Sequence, residues 1–189
     1  IVNINGCSDG TNEGFALFDL NDATIELALD ANATLTYYLT ENDALNELNP
    51  LGITFENTLP FNQTLFARVE RNNQCAGINI VNLIVNEPPD IETEQDIFIC
   101  ADVLNSYRIS AGVPEGELTN FTYEWQTPEK QTTPVIEVSE TGSYRVIVTN
   151  GDGCSVERTV NVNSSAAALI NDIEIRDFRQ NNSITILVS

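Results

Sequence analysis

A strand, a polar turn, a cysteine and a second strand follow one another twice in this chain, and that repetition constrains the fold more than any other feature. The first copy is Gln63-Thr-Leu-Phe-Ala-Arg-Val-Glu-Arg-Asn-Asn-Gln-Cys75 running into Ile78-Asn-Ile-Val-Asn-Leu-Ile-Val-Asn86. The second is Gly142-Ser-Tyr-Arg-Val-Ile-Val-Thr-Asn-Gly-Asp-Gly-Cys154 running into Ser155-Val-Glu-Arg-Thr-Val-Asn-Val-Asn163. In the second copy Tyr144, Val146 and Val148 share one face of a strand and Val156, Val160 and Val162 one face of the next, with Asn150-Gly-Asp-Gly153 as the turn. That is the pattern of a half-buried hairpin. Upstream of each hairpin lies another alternating run, Leu35-Thr-Tyr-Tyr-Leu39 and Phe121-Thr-Tyr-Glu-Trp125, with Phe121, Tyr123 and Trp125 on one face and Trp125 as a core anchor. Further strands are predicted over 15–20, 53–57, 97–100, 107–111 and 135–138. Short strands at this spacing, punctuated by turn residues, predict an all-β chain of tandem β-sandwiches.

Two stretches depart from the β pattern. Thr40-Glu-Asn-Asp43 resembles a capping box ahead of Ala44, Leu45 and Leu48 and is stopped by Pro50, so a short helix is expected; 22–29 reads as another. Both fall in the first unit. Glu87-Pro-Pro-Asp90 marks the main boundary, because consecutive prolines withhold ladder donors and stiffen a connector. Residues 1–87 are therefore read as one sandwich with helical insertions, residues 88–165 as a second, and residues 166–189 as the incomplete start of a third β unit. That tail holds two strand-like runs, Ile173-Glu-Ile175 and Ile184-Thr-Ile-Leu-Val188, which alone are marginal in water. It either opens a further unit or pairs with another chain by edge addition.

Four cysteines, Cys7, Cys75, Cys100 and Cys154, stand two to each half, with no CxxC pair. Four allow three connectivities. The simplest expectation is one staple per half, Cys7 with Cys75 and Cys100 with Cys154, each stabilising its half by roughly 4 kcal/mol in the chain-entropy model. Together with an acidic, lysine-poor composition this points to an oxidising, extracytoplasmic location; four reduced, buried thiols in a cytosolic protein are the alternative.

Composition narrows the chemistry. Eight Lys+Arg against 28 Asp+Glu give a formal net charge of -20, a field that repels nucleic acid and anionic membrane surfaces. The chain has no His, which removes the usual general base, the commonest zinc ligand and imidazole-based triads. Lys130 is the only lysine and sits in a polar loop, no glycine-rich phosphate loop is present, and acid pairs drawn from 28 carboxylates carry no information. No enzyme activity, cofactor or metal is expected. No apolar run is long enough to span a membrane, and Ile1 opens without the regions of a signal peptide, so a mature or excised soluble fragment is expected.

Two weak binding signals remain. Asp9-Gly-Thr-Asn-Glu-Gly14 sets oxygens at Asp9, Thr11 and Glu13 with a glycine at the turn, a partial echo of a calcium loop, but Leu20 occupies the position of the bidentate Glu. A solvated turn is the simpler reading. Tyr37, Tyr38, Tyr123 and Trp125 are the aromatics to weigh as a platform for surface glycans; alternation leaves one of Tyr37 and Tyr38 facing outward, although structural roles are favoured. Asn62-Gln-Thr64 and Asn120-Phe-Thr122 match glycosylation sequons and read equally as ordinary turn and edge residues.

Several of these segments also carry a family resemblance. Cys7-Ser-Asp-Gly-Thr-Asn-Glu-Gly-Phe-Ala-Leu-Phe-Asp-Leu20, with Leu35-Thr-Tyr-Tyr38, Asp43-Ala44, Ala67-Arg-Val-Glu70 and Cys75, resembles a repeat near the C-terminus of large surface proteins of gliding Bacteroidetes. Cys100, Tyr123-Glu-Trp125, Gly142-Ser-Tyr-Arg-Val146 and Gly153-Cys154 resemble the immunoglobulin-like or PKD-like repeat that comes after it, and Ile173-Glu-Ile-Arg-Asp-Phe178 is similar to the start of the next. The resemblance implies an SprB-like gliding-motility adhesin, secreted by the type IX secretion system and attached at the outer membrane through a PorP/SprF-like protein. The function expected is a non-catalytic stalk segment of such an adhesin, with a carbohydrate-binding accessory module of a polysaccharide-degrading enzyme as the alternative.

Overall fold

The computed structural model describes residues 1–21, 33–72, 74–100, 106–165, 170–176 and 183–188. By compactness the chain divides into two units, Ile1–Asp90 with Val148–Val156 and Ile91–Ile147 with Glu157–Ser189. The helix expected over 22–29 lies outside the described residues.

In the first unit β1 (Val2–Cys7), β6 (Gln74–Asn86), β5 (Asn62–Arg71) and β3 (Ala33–Tyr38) form a four-stranded sheet in the order β1-β6-β5-β3, and β2 (Leu17–Asp19) pairs with β4 (Thr54–Glu56) in a second sheet. β1 runs parallel to β6 and the remaining pairs are antiparallel. Alternating side chains of both sheets meet in one core: Val2 and Ile4 of β1, Phe18 of β2, Tyr37 of β3, Leu65 and Ala67 of β5, and Val81, Leu83 and Val85 of β6. β1 is not among the strands expected from the sequence, although Val2 and Ile4 alternate with asparagines as a half-buried strand requires.

The second sandwich, residues 94–165, repeats the plan strand for strand. Its four-stranded sheet runs β7 (Glu94–Cys100), β12 (Ser155–Ser165), β11 (Gly142–Thr149) and β9 (Thr122–Trp125), and β8 (Tyr107–Ser110) pairs antiparallel with β10 (Val135–Val138). Again the first strand, β7, lies parallel to the last, β12. Trp125 is fully buried and its indole N–H donates to the carbonyl of Thr133 at 2.9 Å, so the core anchor also satisfies its polar edge. The architecture is all-β, two successive immunoglobulin-like sandwiches with six described strands each, and β13 (Ile170–Arg176) and β14 (Ser183–Val188) form an antiparallel pair of their own.

The helix start is where the sequence places it: α1 (Glu41–Asn46) is N-capped by Thr40, whose hydroxyl accepts from the backbone N–H of Asp43 at 3.0 Å and donates to the Asp43 carboxylate at 2.7 Å. The helix packs on β3 and β5. Its last carbonyls, of Ala44 and Leu45, accept from the guanidinium of Arg68 at 3.0 and 3.3 Å, and Arg68 also pairs with Glu47 and Glu70 at 2.6 and 2.7 Å. A cation thus closes the helix where its orphan carbonyls gather. The sequence places helical stretches in the first unit alone, but the second has one too. A 3₁₀ turn, Glu115–Asn120, precedes β9 and offers the carbonyl of Leu118 to the Tyr123 hydroxyl at 2.9 Å.

Candidate functional site

Because β1 runs parallel to β6, geometry decides the cysteine pairing. Cys7 ends β1 level with Asn86, the last residue of β6, whereas Cys75 sits eleven positions earlier on β6. At a strand rise of about 3.3 Å the two are about 35 Å apart, far beyond the ~7 Å that a disulfide tolerates. The second unit repeats the arithmetic: Cys100 ends β7 level with Ser165, and Cys154 stands eleven positions before it. The expected bonds Cys7–Cys75 and Cys100–Cys154 are therefore both wrong, because each would join opposite ends of one sheet. Cys7 is bonded instead to Cys154, with a Cα separation of 5.5 Å and a sequence separation of 147. It is the disulfide present among the described residues, so the expectation of one staple inside each sandwich is corrected too. Cys75 is free and exposed.

The bond sits in a built environment. Gly6, next to Cys7, lies against Phe18, where a Cβ would come within 2.7 Å of the ring. The strand can approach the core there only without a side chain. Beyond Cys7 the backbone N–H of Ser8 donates to the carbonyl of Asn86 at 3.0 Å, extending the β1–β6 register by one bond. The same carbonyl oxygen lies 3.6 Å from the Cys154 sulfur. Cys154 itself is fully buried.

Glu87 organises both sides. Its carboxylate accepts from the Ser8 hydroxyl and from the backbone N–H of Gly14, the latter at 2.7 Å, and so closes the 8–14 loop across its mouth. Its backbone carbonyl accepts from the Asn150 side-chain amide at 2.8 Å. Asn150 in turn accepts from the N–H groups of Asp152 and Cys154 at 3.1 and 3.0 Å, fixing the turn that presents Cys154. The loop 14–16 is pinned from its other side by buried Asn57, which accepts from the Ala16 N–H at 2.7 Å and donates to the Gly14 carbonyl at 2.8 Å. Gly14, at φ +80, cannot carry a side chain, since a Cβ would meet Pro60 at 2.9 Å. Sequence reasoning finds Glu87 only as a boundary residue and Asn150 only as the opening of a hairpin turn, and it misses the part played by Asn57.

The other candidate sites disperse. In the 9–14 loop one Asp9 oxygen accepts from both the hydroxyl and the N–H of Thr11, at 2.7 and 2.8 Å, and these bonds, the hydroxyl first, hold its carboxyl below the usual value. That is an Asx turn folded on itself. Among the described residues no group of three or more His, Cys, Asp or Glu side chains is placed to hold a metal ion. Tyr37 and Tyr38 are both buried, which corrects the expectation that one faces outward: Tyr37 enters the core and donates to the Leu20 carbonyl. Tyr38 alternates to the other face of β3, the strand on which α1 packs, and burial pushes its phenol up. Tyr123 and Trp125 are buried as well, so these four aromatics form no exposed sugar platform. What the site does chemically is form one reducible covalent cross-link between the end of β1 and the turn of the β11–β12 hairpin.

No curated protein gives a significant match. Among solved structures the chain is similar to DIP-gamma IG1+IG2, at 12% identity and a TM-score of 0.31, over 87% of this chain and 95% of that one. It is also similar to mouse clustered PcdhgC3 EC1-3, at 12% identity and a TM-score of 0.29, over 93% of this chain and 67% of that one. Drosophila N-cadherin EC1-4 gives 11% identity and a TM-score of 0.32 over 77% and 44%. At such scores these likenesses say nothing of function. Residues 3–89, which hold Cys7, Cys75 and Glu87, match the family described as the Flavobacterium inter-domain disulphide bond domain, and over that segment the chain is similar to a Bacteroidetes domain named for a cross-link between domains.

Proposed function

We propose that this chain is a non-catalytic stalk segment of a secreted, cell-surface adhesin of the SprB-like gliding type, exported by type IX secretion and held at the outer membrane through a PorP/SprF-like partner. The observation that carries the stalk reading is the Cys7–Cys154 bond, which spans 147 positions and joins the end of β1 to the turn of the β11–β12 hairpin. In the chain-entropy model a loop of that length is worth about 5 kcal/mol. Its mechanical effect is larger. Tension entering at Ile1 crosses the bond from Cys7 to Cys154 and leaves along β12, so the backbone between the two cysteines is bypassed.

Further support comes from the match of residues 3–89 to a domain named for this type of bond. A net charge of -20 suits a chain that must stay extended and self-repelling outside the cell. The adhesin, export and attachment assignments rest on the resemblance of the quoted motifs. Pulling the oxidised chain by its two ends should release little contour between Cys7 and Cys154. The same pull under a reducing agent should release about 500 Å more, at roughly 3.4 Å per residue. Equal extension in both states overturns the stalk mechanism.

A further inference from the structure

The sequence contains two Asn-Gly pairs, Asn5-Gly6 and Asn150-Gly151, and each lies just ahead of a bonded cysteine, Cys7 and Cys154. Asn-Gly loses its side-chain amide more readily than other asparagine pairs. The backbone nitrogen of the following residue attacks the side-chain carbonyl carbon, and glycine leaves that nitrogen unshielded. In the 150–153 turn the two glycines are there for different reasons. Gly153 stands at φ +85, a conformation that favours glycine. Gly151 is not among the residues with positive φ, and a Cβ there would meet nothing within 4 Å, so the fold does not demand glycine at 151. What its missing side chain does is expose the attacking nitrogen.

The hold on Asn150 opposes that attack. Its Nδ2 donates to the Glu87 carbonyl at 2.8 Å, and its Oδ1 accepts from the N–H groups of Asp152 and Cys154 at 3.1 and 3.0 Å. Bringing the side-chain carbonyl carbon onto the Gly151 nitrogen pulls the amide off these partners, so the reaction waits for the turn to open. Cys154 is one of the three partners, and it is tied to Cys7.

We infer that Asn150-Gly151 is a deamidation site gated by the Cys7–Cys154 bond. While the bond is closed, Cys154 is fixed and the amide with it. Two equivalents of a thiol cleave the bond, giving two cysteine thiols and one disulfide of the reductant, and the turn is then free to open. The Gly151 nitrogen bonds to the Asn150 side-chain carbon, its proton leaves with the amide as ammonia, and water opens the resulting succinimide at either carbonyl. The product is aspartate or isoaspartate. A carboxylate at 150 has no proton for the Glu87 carbonyl, and isoaspartate adds a methylene to the main chain just before Cys154. The turn no longer presents Cys154 to Cys7, which makes the loss of the bond permanent. This rests on the Cys7–Cys154 bond and not on the adhesin assignment.

The test incubates the oxidised full chain beside a chain carrying Cys7→Ser and Cys154→Ser at mildly alkaline pH. Amide loss is read by peptide mass mapping, and isoaspartate by labelling with isoaspartyl methyltransferase. Loss at Asn150 should be faster by about tenfold or more in the bond-free chain, the worth of one or two hydrogen bonds. Asn5, on β1 opposite Ile84, is the internal reference: the β1–β6 ladder holds it with or without the bond, so its rate should not change. Gly151→Ala, which the open space at 151 admits, should slow the loss at Asn150 in the bond-free chain. In a glutathione redox buffer an Asn150→Asp chain should form less of the Cys7–Cys154 bond than the unaltered chain. Equal rates at Asn150 in the two chains overturn the gate, and so does equal acceleration at Asn5, which is the mark of an unfolded sandwich and not of an opened turn. An Asn150→Asp chain that forms the bond as readily as the unaltered one overturns the permanence. Cys7 and Cys154 both alkylatable in the oxidised chain would overturn the bond itself, which is a separate failure from that of the gate.

Discussion

Arg158 occupies a core position on β12 between Val156 and Val160, and it is almost wholly buried. It is tolerated because every side of the guanidinium is used: it donates to the carbonyls of Glu92 and Ser110 and to the Gln95 side chain, the last at 2.5 Å. Gly112, at φ +82, makes the space, since a Cβ there would stand 2.9 Å from the Arg158 Nε. Gly112→Ala should therefore destabilise the second sandwich by about 1–3 kcal/mol, from the left-handed backbone and the displaced arginine together. A urea midpoint that does not move contradicts this role. A buried arginine inside a valine stripe is the type of residue that periodicity skips: alternation assigns Val156, Val160 and Val162 to one face and passes over the residue between them. Asp9 gives a pH signature at the same scale. Its carboxyl is held below the ordinary 3.8 chiefly by the Thr11 hydroxyl. A lowered value means that the turn is fully supported above 3.8 and released as pH falls through the lowered midpoint. Thr11→Ala should raise the Asp9 midpoint, read by NMR titration of its side-chain carboxyl; an unchanged midpoint sinks the assignment.

The strands are legible where alternation is strict and hidden where it is brief. β10 matches its expected span, Val135–Val138, and β9 and β3 fall within a residue or two of the runs that announce them. β1 escapes sequence reading because six residues, half of them Asn or Gly, carry little hydrophobic signal. That omission has a cost beyond the strand itself. Once β1 is known to run parallel to β6, Cys7 and Cys75 fall at opposite ends of one sheet, and the expected pairing is excluded by distance alone. Local signals fare better when they name a specific hydrogen bond, as at Thr40. Thr40→Ala should cost about 1 kcal/mol through loss of the N-cap of α1. The check is faster amide exchange in α1, together with a lower urea midpoint; unchanged exchange shows that Arg68 at the far end holds the helix without its cap.

At the scale of the whole molecule, one strand topology recurs twice, and the bond present joins Cys7 at the end of β1 to Cys154 in the β11–β12 turn. The repeat itself is readable from the sequence, because strand, turn, cysteine and strand recur in order. The connectivity is not, because cysteine spacing along a chain says nothing about which ends of two sheets meet. Glu87 shows the same divide: its place in a Pro-Pro connector is evident, while its hold on the 8–14 loop and on Asn150 is a property of the folded chain. The most direct measurement is a peptide map of the oxidised, unreduced chain with free thiols alkylated beforehand. A cross-linked pair of peptides containing Cys7 and Cys154, with Cys75 alkylated, is the expected result. Peptides joining Cys7 to Cys75 and Cys100 to Cys154 would contradict the account, since they require each sandwich to bring opposite ends of its own sheet together.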